Sequence, residues 1–189
     1  MTDDAAGAHD HRVLLLGMMG SGKSSIGHAL SRRTGWPFVD NDALVERATG
    51  HTARELLARR GEPAMRAAET AALETALGLP APVVAATAAG TILDPDNRRR
   101  LRDGGFVVWL SAPAEVLAAR AVGADHRPWL DDDPVAWFRN SLDERAGLYA
   151  SVADLEIDTS RLSPDEAARR ILDALTAGRP IPSGHDDRC

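Results

Sequence analysis

One glycine-rich stretch constrains this chain more than any other. Residues 17 to 25 read GMMGSGKSS, directly after the apolar run VLLL at 13 to 16. They fit the spacing G-x-x-x-x-G-K-[ST], from Gly17 through Gly22 and Lys23 to Ser24. Successive backbone N–H groups can wrap a phosphate chain only where side chains stay clear, and Gly17, Gly20 and Gly22 leave that room. Lys23 is placed to reach the β- and γ-phosphates, and the Ser24 hydroxyl to face Mg²⁺. A helix starting here turns its positive end toward the anion. An apolar strand before the motif and an amphipathic segment after it (Ile26, Leu30, then Gly35 as a stop) supply the expected context. A glycine-rich turn with an incidental lysine would not need that context.

The rest of the chain repeats this alternation. Apolar runs predict strands over Val13–Leu16, Pro37–Val39, Pro82–Ala86, Phe106–Leu110 and Leu155–Ile157. Helical patterns fall at roughly 22–33, 42–48, 52–59, 63–77, 94–102, 113–121, 133–149 and 164–176. Strands alternating with helices predict an α/β fold with a parallel sheet covered on both faces. In such sheets ligands sit beyond the carboxyl ends of the strands, so the residues just after each strand matter most. With 189 residues, 44% of them hydrophobic, the chain suits one domain, expected over 12–177. Residues 1–11 and 178–189 read as disordered tails. The polar stretch VGADHRPWLDDDP, 122–134, reads as a flap over the site, with a plain surface loop as the alternative.

A net charge of −6 with no basic run gives no nonspecific attraction to nucleic acid or anionic membranes. No apolar stretch approaches the ~18 residues of a bilayer span. The acidic N-terminus MTDDAAGAHDH lacks the apolar core of a secretion signal. The single cysteine, Cys189, forms no internal disulfide and no cysteine-based metal site. These features lead us to expect a soluble cytoplasmic protein.

Asp40 and Asp42 close the second predicted strand in FVDND. Two apart in an extended segment, they would point the same way, one toward Mg²⁺ through water and one toward an acceptor hydroxyl. Asp42 could equally cap the helix that begins ALVERA. Arg66 shares an azimuth with Leu73 and Leu77, seven and eleven residues on. Arg145 falls in the apolar stripe of Phe138, Leu142 and Tyr149. An inward arginine is costly unless paired. Glu69 is a local partner for Arg66 at i,i+3, whereas Asp143 and Glu144 lie off the face of Arg145. Two such arginines suit a carboxylate on the acceptor. Arg120 and Arg127 flank the flap, and Arg127 could either close on the transferring phosphoryl group or stand as a solvated loop charge. The six histidines have no ligand spacing beyond His9 and His11 in the tail. Trp36, Trp109 and Trp137 read as core, and Trp129 as a flap residue near the ligand.

From about Val13 to about Leu175 the chain resembles shikimate kinase, a small phosphate-loop kinase family of aromatic amino acid biosynthesis. GMMGSGKSSIGHAL, FVDNDALVERATGHTARELLARRGEPAMRAAE, RPWL and ERAGLYASVADLEIDT carry the likeness, in that order. The resemblance implies a three-layer fold with a five-stranded parallel sheet of order 2-3-1-4-5, and a monomer. It implies ATP contacts at Gly20, Ser21, Gly22, Lys23, Ser24, Ser25, Arg120, Arg127 and Pro164. It implies Mg²⁺ at Ser24 and, through water, at Asp40. Asp42 would hold the hydroxyl that is phosphorylated and act as base, with Lys23 and Arg127 as the other catalytic residues. Arg66 and Arg145 would clamp the shikimate carboxylate. The family has three consecutive glycines after the third strand, whose backbone contacts shikimate. Here those positions are Ala88, Ala89 and Gly90, and their methyl groups are expected to narrow the acceptor pocket. Gly147 stands where the family often has proline.

The implied activity is ATP-dependent phosphorylation of the shikimate 3-hydroxyl. A kinase for another small carboxylated polyol or cyclitol, and a nucleotide-binding module without catalysis, are the alternatives. Retention of Lys23, Ser24, Asp40, Asp42 and Arg127 speaks against the module, and the Ala88–Gly90 change is the feature that bears on the acceptor.

Overall fold

The structure, a computed structural model, describes residues 11–121 and 133–177. The flap residues 122–132 and the segments 1–10 and 178–189 lie outside it. His11, read with the N-terminal tail, is among the described residues, and its carbonyl accepts from Val83 N at 3.1 Å.

Five strands form in the predicted places: β1 (Arg12–Leu16), β2 (Phe38–Asp40), β3 (Val83–Ala86), β4 (Phe106–Ser111) and β5 (Leu155–Asp158). They pair in parallel in the order β2-β3-β1-β4-β5. This is the order that the resemblance implied. β1 lies at the centre because every residue of VLLL is apolar and buried. Alternate residues serve opposite faces. Leu14, Leu16, Val107 and Trp109 enter one core cluster, while Val13, Leu15, Val108 and Leu110 enter the other.

The first face is covered by α3 (Ala53–Gly78), α4 (Pro95–Gly104), α5 (Ala114–Ala121) and α6 (Pro134–Ala150), through residues such as Leu73, Leu101, Leu117 and Phe138. The second is covered by α1 (Lys23–Thr34) and α7 (Pro164–Thr176), through Ile26, Leu30, Ala168 and Ile171. The helix α2 (Asn41–Thr49) builds a smaller core with α3, around Val45, Leu56, Met65 and Ala72.

The two helices expected at 52–59 and 63–77 run as one span, α3, broken at Gly61 with φ 80° and ψ 173°. Only glycine adopts that left-handed conformation cheaply, and Pro63 then starts the second segment. A short 3₁₀ turn at Thr91–Leu93 follows β3. Its three residues carry no periodicity of their own, so sequence patterning does not reveal it.

The chain leaves β1 for β2 on one side of the sheet and later fills β4 on the other. The carboxyl ends of β1 and β3, where the connections diverge, are therefore where such a fold places a ligand. The phosphate loop, the β2 end at Asp40 and the loop 87–90 all meet there.

Candidate active site

The phosphate loop adopts the shape its glycines allow. Gly17, Gly20 and Gly22 have φ of 138°, 79° and 94°. Gly22 caps α1 from the left-handed region with no side-chain hydrogen bond, and the positive end of the helix faces the loop, as an anion site requires. Lys23 Nζ folds over the loop and donates to the carbonyls of Gly17 (2.8 Å) and Met18 (3.0 Å). Ser24 Oγ donates to Asp40 Oδ2 at 2.6 Å. The two residues expected at the metal, 16 positions apart, are thus brought into contact. A hydroxyl and a carboxylate oxygen are hard donors of the kind that suit Mg²⁺.

Asp40 also accepts from Asp42 N at 3.1 Å and is the N-cap of α2. The capping role considered for Asp42 therefore falls to Asp40, because the helix begins one residue earlier than the pattern indicated. Asp42 sits in the first turn rather than in an extended strand, so the strand-pleat reason for aligning it with Asp40 does not hold. Its side chain, exposed to solvent, faces the cluster described next.

That cluster is built on α3 and α6. Arg66 donates from Nη1 to Glu69 Oε2 at 2.9 Å, and from Nη2 and Nε to Glu62 Oε1 at 3.0 and 3.2 Å. Burial works against its charge, but the two carboxylates outweigh that and hold its pKa above the usual value. The Glu69 side chain is only 9% exposed, and burial raises its pKa despite the pairing with Arg66. Asp42 and Arg145 act on Glu69 electrostatically as well, in opposite directions. Two arginines and two acids therefore share one small region. The Arg145 side chain is 13% exposed, inward as its stripe required, and its Nε lies 3.3 Å from Glu144 Oε2. The adjacent residue off its face is within reach because both side chains are long.

The loop after β3 closes this region. Gly90 has φ −84° and ψ −12°, which any residue adopts. Glycine is needed for space: a Cβ there would collide with Arg66 Nη1. Ala89 packs against the core cluster that includes Trp109 and Tyr149, and Ala88 is buried. The Ala89 carbonyl accepts from the Tyr149 hydroxyl at 2.7 Å.

Beside the phosphate loop, Arg120 donates from Nη2 to the Thr159 carbonyl (2.8 Å) and from Nη1 to Thr159 Oγ1 (3.2 Å), with Nη1 3.4 Å from the Gly20 carbonyl. Thr159, just past β5, also donates to the Ser21 carbonyl at 3.1 Å. Ser25 and Pro164 are exposed in the first turns of α1 and α7. Arg127 lies outside the described residues, as do Trp129 and the rest of 122–132. Sequence reading missed Thr159 and Tyr149 as site-forming residues and gave Glu69 only a pairing role. Among the described residues, no group of three His, Cys, Asp or Glu side chains is arranged to hold a metal ion.

The shikimate kinase family model matches residues 19–176. A shikimate kinase of Paramagnetospirillum magneticum is 38% identical over 164 residues, covering 86% of this chain and 83% of its own. That of Microcystis aeruginosa is 41% identical over 165 residues, covering 86% and 85%. Among solved structures, the shikimate kinase of Acinetobacter baumannii in complex with shikimate superposes with a TM-score of 0.84 at 32% identity, over 90% of this chain and 96% of that one. A gluconokinase from Sinorhizobium meliloti shares the fold at a TM-score of 0.58 and 22% identity, over 89% of this chain and 93% of its own.

Proposed function

The chain belongs to the shikimate kinase family, and on that premise we propose that it transfers the terminal phosphoryl group of ATP to the 3-hydroxyl of shikimate, giving shikimate 3-phosphate and ADP. The observation that carries this reading is the group of Arg66, Arg145, Glu69 and Asp42 beside the phosphate loop. Two half-buried guanidinium groups suit an acceptor carboxylate, and Asp42 suits a hydroxyl on the same small molecule.

The phosphate loop and Lys23 hold the phosphates. Lys23 now donates to Gly17 and Met18 carbonyls, and turns its ammonium group to the β- and γ-oxygens when they arrive. Ser24, and Asp40 through water, would hold Mg²⁺, which when bound would offset phosphate charge. The acceptor oxygen forms a bond to the γ-phosphorus as the bond from that phosphorus to the bridging oxygen breaks. Asp42 accepts the hydroxyl proton. Arg127 neutralises charge on the moving group from the flap, and Arg120 lines the nucleotide end with Pro164. Arg66 and Arg145 fix the carboxylate, and the backbone of Ala88, Ala89 and Gly90 contacts the ring. No helix among the described residues is long and apolar enough to cross a membrane. The reading includes a cytoplasmic enzyme working as a monomer.

The test is nucleotide turnover with shikimate and a small panel of related hydroxy acids. Shikimate should give the highest kcat/KM. A cyclitol or polyol acid that outcompetes it would replace the acceptor but keep the kinase. ATP binding with no turnover on any acid would leave only a nucleotide-binding module.

A further inference from the structure

We infer that Tyr149 is a positioning residue for the acceptor, acting through the single peptide group between Ala89 and Gly90. The inference rests on the proposed shikimate reading and adds to it a residue that does not itself touch the substrate.

Tyr149 follows Arg145 by four residues on α6, so both project from one face of the helix. The phenol is 1% exposed. Its ring stacks on Trp109 with centroids 5.8 Å apart and planes 20° from parallel. Stacking and burial alone would be served as well by phenylalanine. The hydroxyl is what a phenylalanine lacks, and it reaches Ala89 O at 2.7 Å, with Met18 Sδ of the phosphate loop 3.7 Å away. A phenol has one proton to give, and the carbonyl at the shorter distance takes it. Burial raises the phenol pKa, so the group remains a donor at any working pH.

A trans peptide is planar, with C=O and N–H pointing in opposite directions. Fixing the Ala89 carbonyl toward α6 therefore aims the Gly90 N–H away from α6. That N–H has no hydrogen-bond partner among the described residues. Arg66 packs directly on Gly90, in the space a side chain would fill. The peptide is thus held from α6 by a phenol and bears on the arginine of α3. Through it, the helix that carries Arg145 sets the seat of Arg66 and the direction of a free backbone donor.

The test is Tyr149→Phe in the full chain, with shikimate and ATP varied separately. The ring and its stack on Trp109 remain, so the fold is kept. Without its partner the Ala89 carbonyl is left unpaired and the peptide is free to rotate. KM for shikimate should rise about tenfold, the scale of leaving one buried acceptor unsatisfied. KM for ATP should stay within about twofold. In a Gly90→Ala background, where the seat of Arg66 is already disturbed, the same substitution should add much less than its effect alone. An unchanged shikimate KM, an equal rise for both substrates, or a fully additive double variant would each overturn the inference. Turnover of shikimate by the unsubstituted protein tests the parent reading separately.

Discussion

Replacing Gly90 by alanine tests how the loop after β3 seats Arg66, the arginine proposed to clamp the acceptor. The backbone tolerates the change, since φ is −84° and ψ −12°. The smaller conformational freedom of the unfolded chain would by itself add about 0.4–1 kcal/mol of stability. The added methyl, however, occupies the place of Arg66 Nη1. Arg66 must swing away, and its two partners respond differently. Glu62 is exposed and can follow, whereas Glu69 is buried and cannot. The 2.9 Å bond from Arg66 to Glu69 is lost, and the guanidinium leaves the position from which, on the proposed reading, it would meet the acceptor. Deleting one partner of a desolvated charge pair costs roughly 2–5 kcal/mol. A displaced arginine keeps its charge nearby, so the expected loss is about 1.5–3 kcal/mol, or roughly 10- to 150-fold in KM for shikimate. Steady-state kinetics with each substrate varied at saturating levels of the other would measure it, with KM for ATP within about twofold and the melting temperature within a few degrees. If Arg66→Ala raises the shikimate KM but Gly90→Ala does not, the loop does not seat the arginine. If neither changes it, Arg66 serves only its internal carboxylates, and the clamp reading fails.

Asp42→Asn should lower kcat by about 10²–10⁴ with little change in thermal stability, because Asp40 and not Asp42 caps α2; a shift in melting temperature with kcat intact would make Asp42 structural. Gly147 lies in α6 with nothing within 4 Å of a Cβ, so Gly147→Ala should raise stability by up to about 1 kcal/mol, read by urea unfolding, with turnover unchanged. Gly27 is the opposite case: a Cβ there would overlap the Phe38 ring, and Gly27→Ala should cost about 1–3 kcal/mol in the same assay. Glu55 and Glu166 close capping boxes with Thr52 and Ser163, and these hydrogen bonds hold both carboxyls below the ordinary value of 4.5. A lowered folded-state pKa gives stability that is present above 4.5 and lost as pH falls through the folded values. The double Gln variant should flatten that acid limb in thermal melts, and an unchanged limb would place the acid sensitivity elsewhere.

The sheet was legible because its signal is local. Five short apolar runs gave five strands, and VLLL before the glycine loop marked the central one. The inward face of Arg145 was legible for the same reason, from helical spacing to Phe138 and Tyr149. What escaped depends on contacts between distant residues. The Tyr149 hydroxyl meets a carbonyl 60 positions away, Thr159 meets the phosphate loop 138 away, and Asn41 donates to the Glu69 carbonyl 28 away. No periodicity encodes such pairs. The cap at Asp40 was missed because helix onset shifts by a residue according to which carboxylate reaches back to the backbone. Replacement of the family's first two loop glycines looked like a narrowing of the pocket. Ala89 also packs against the core cluster, a contact that only the folded chain reveals.

The central claim is that the phosphate loop and the arginine pair serve one transfer, from ATP to the 3-hydroxyl of shikimate. ³¹P NMR of a reaction containing the protein, ATP, Mg²⁺ and shikimate tests it most directly. The account predicts loss of the ATP γ resonance, growth of the ADP signals and a single new phosphomonoester coupled to the proton on carbon 3, all abolished in Lys23→Ala. Inorganic phosphate alone, or a monoester on a different carbon, would contradict it.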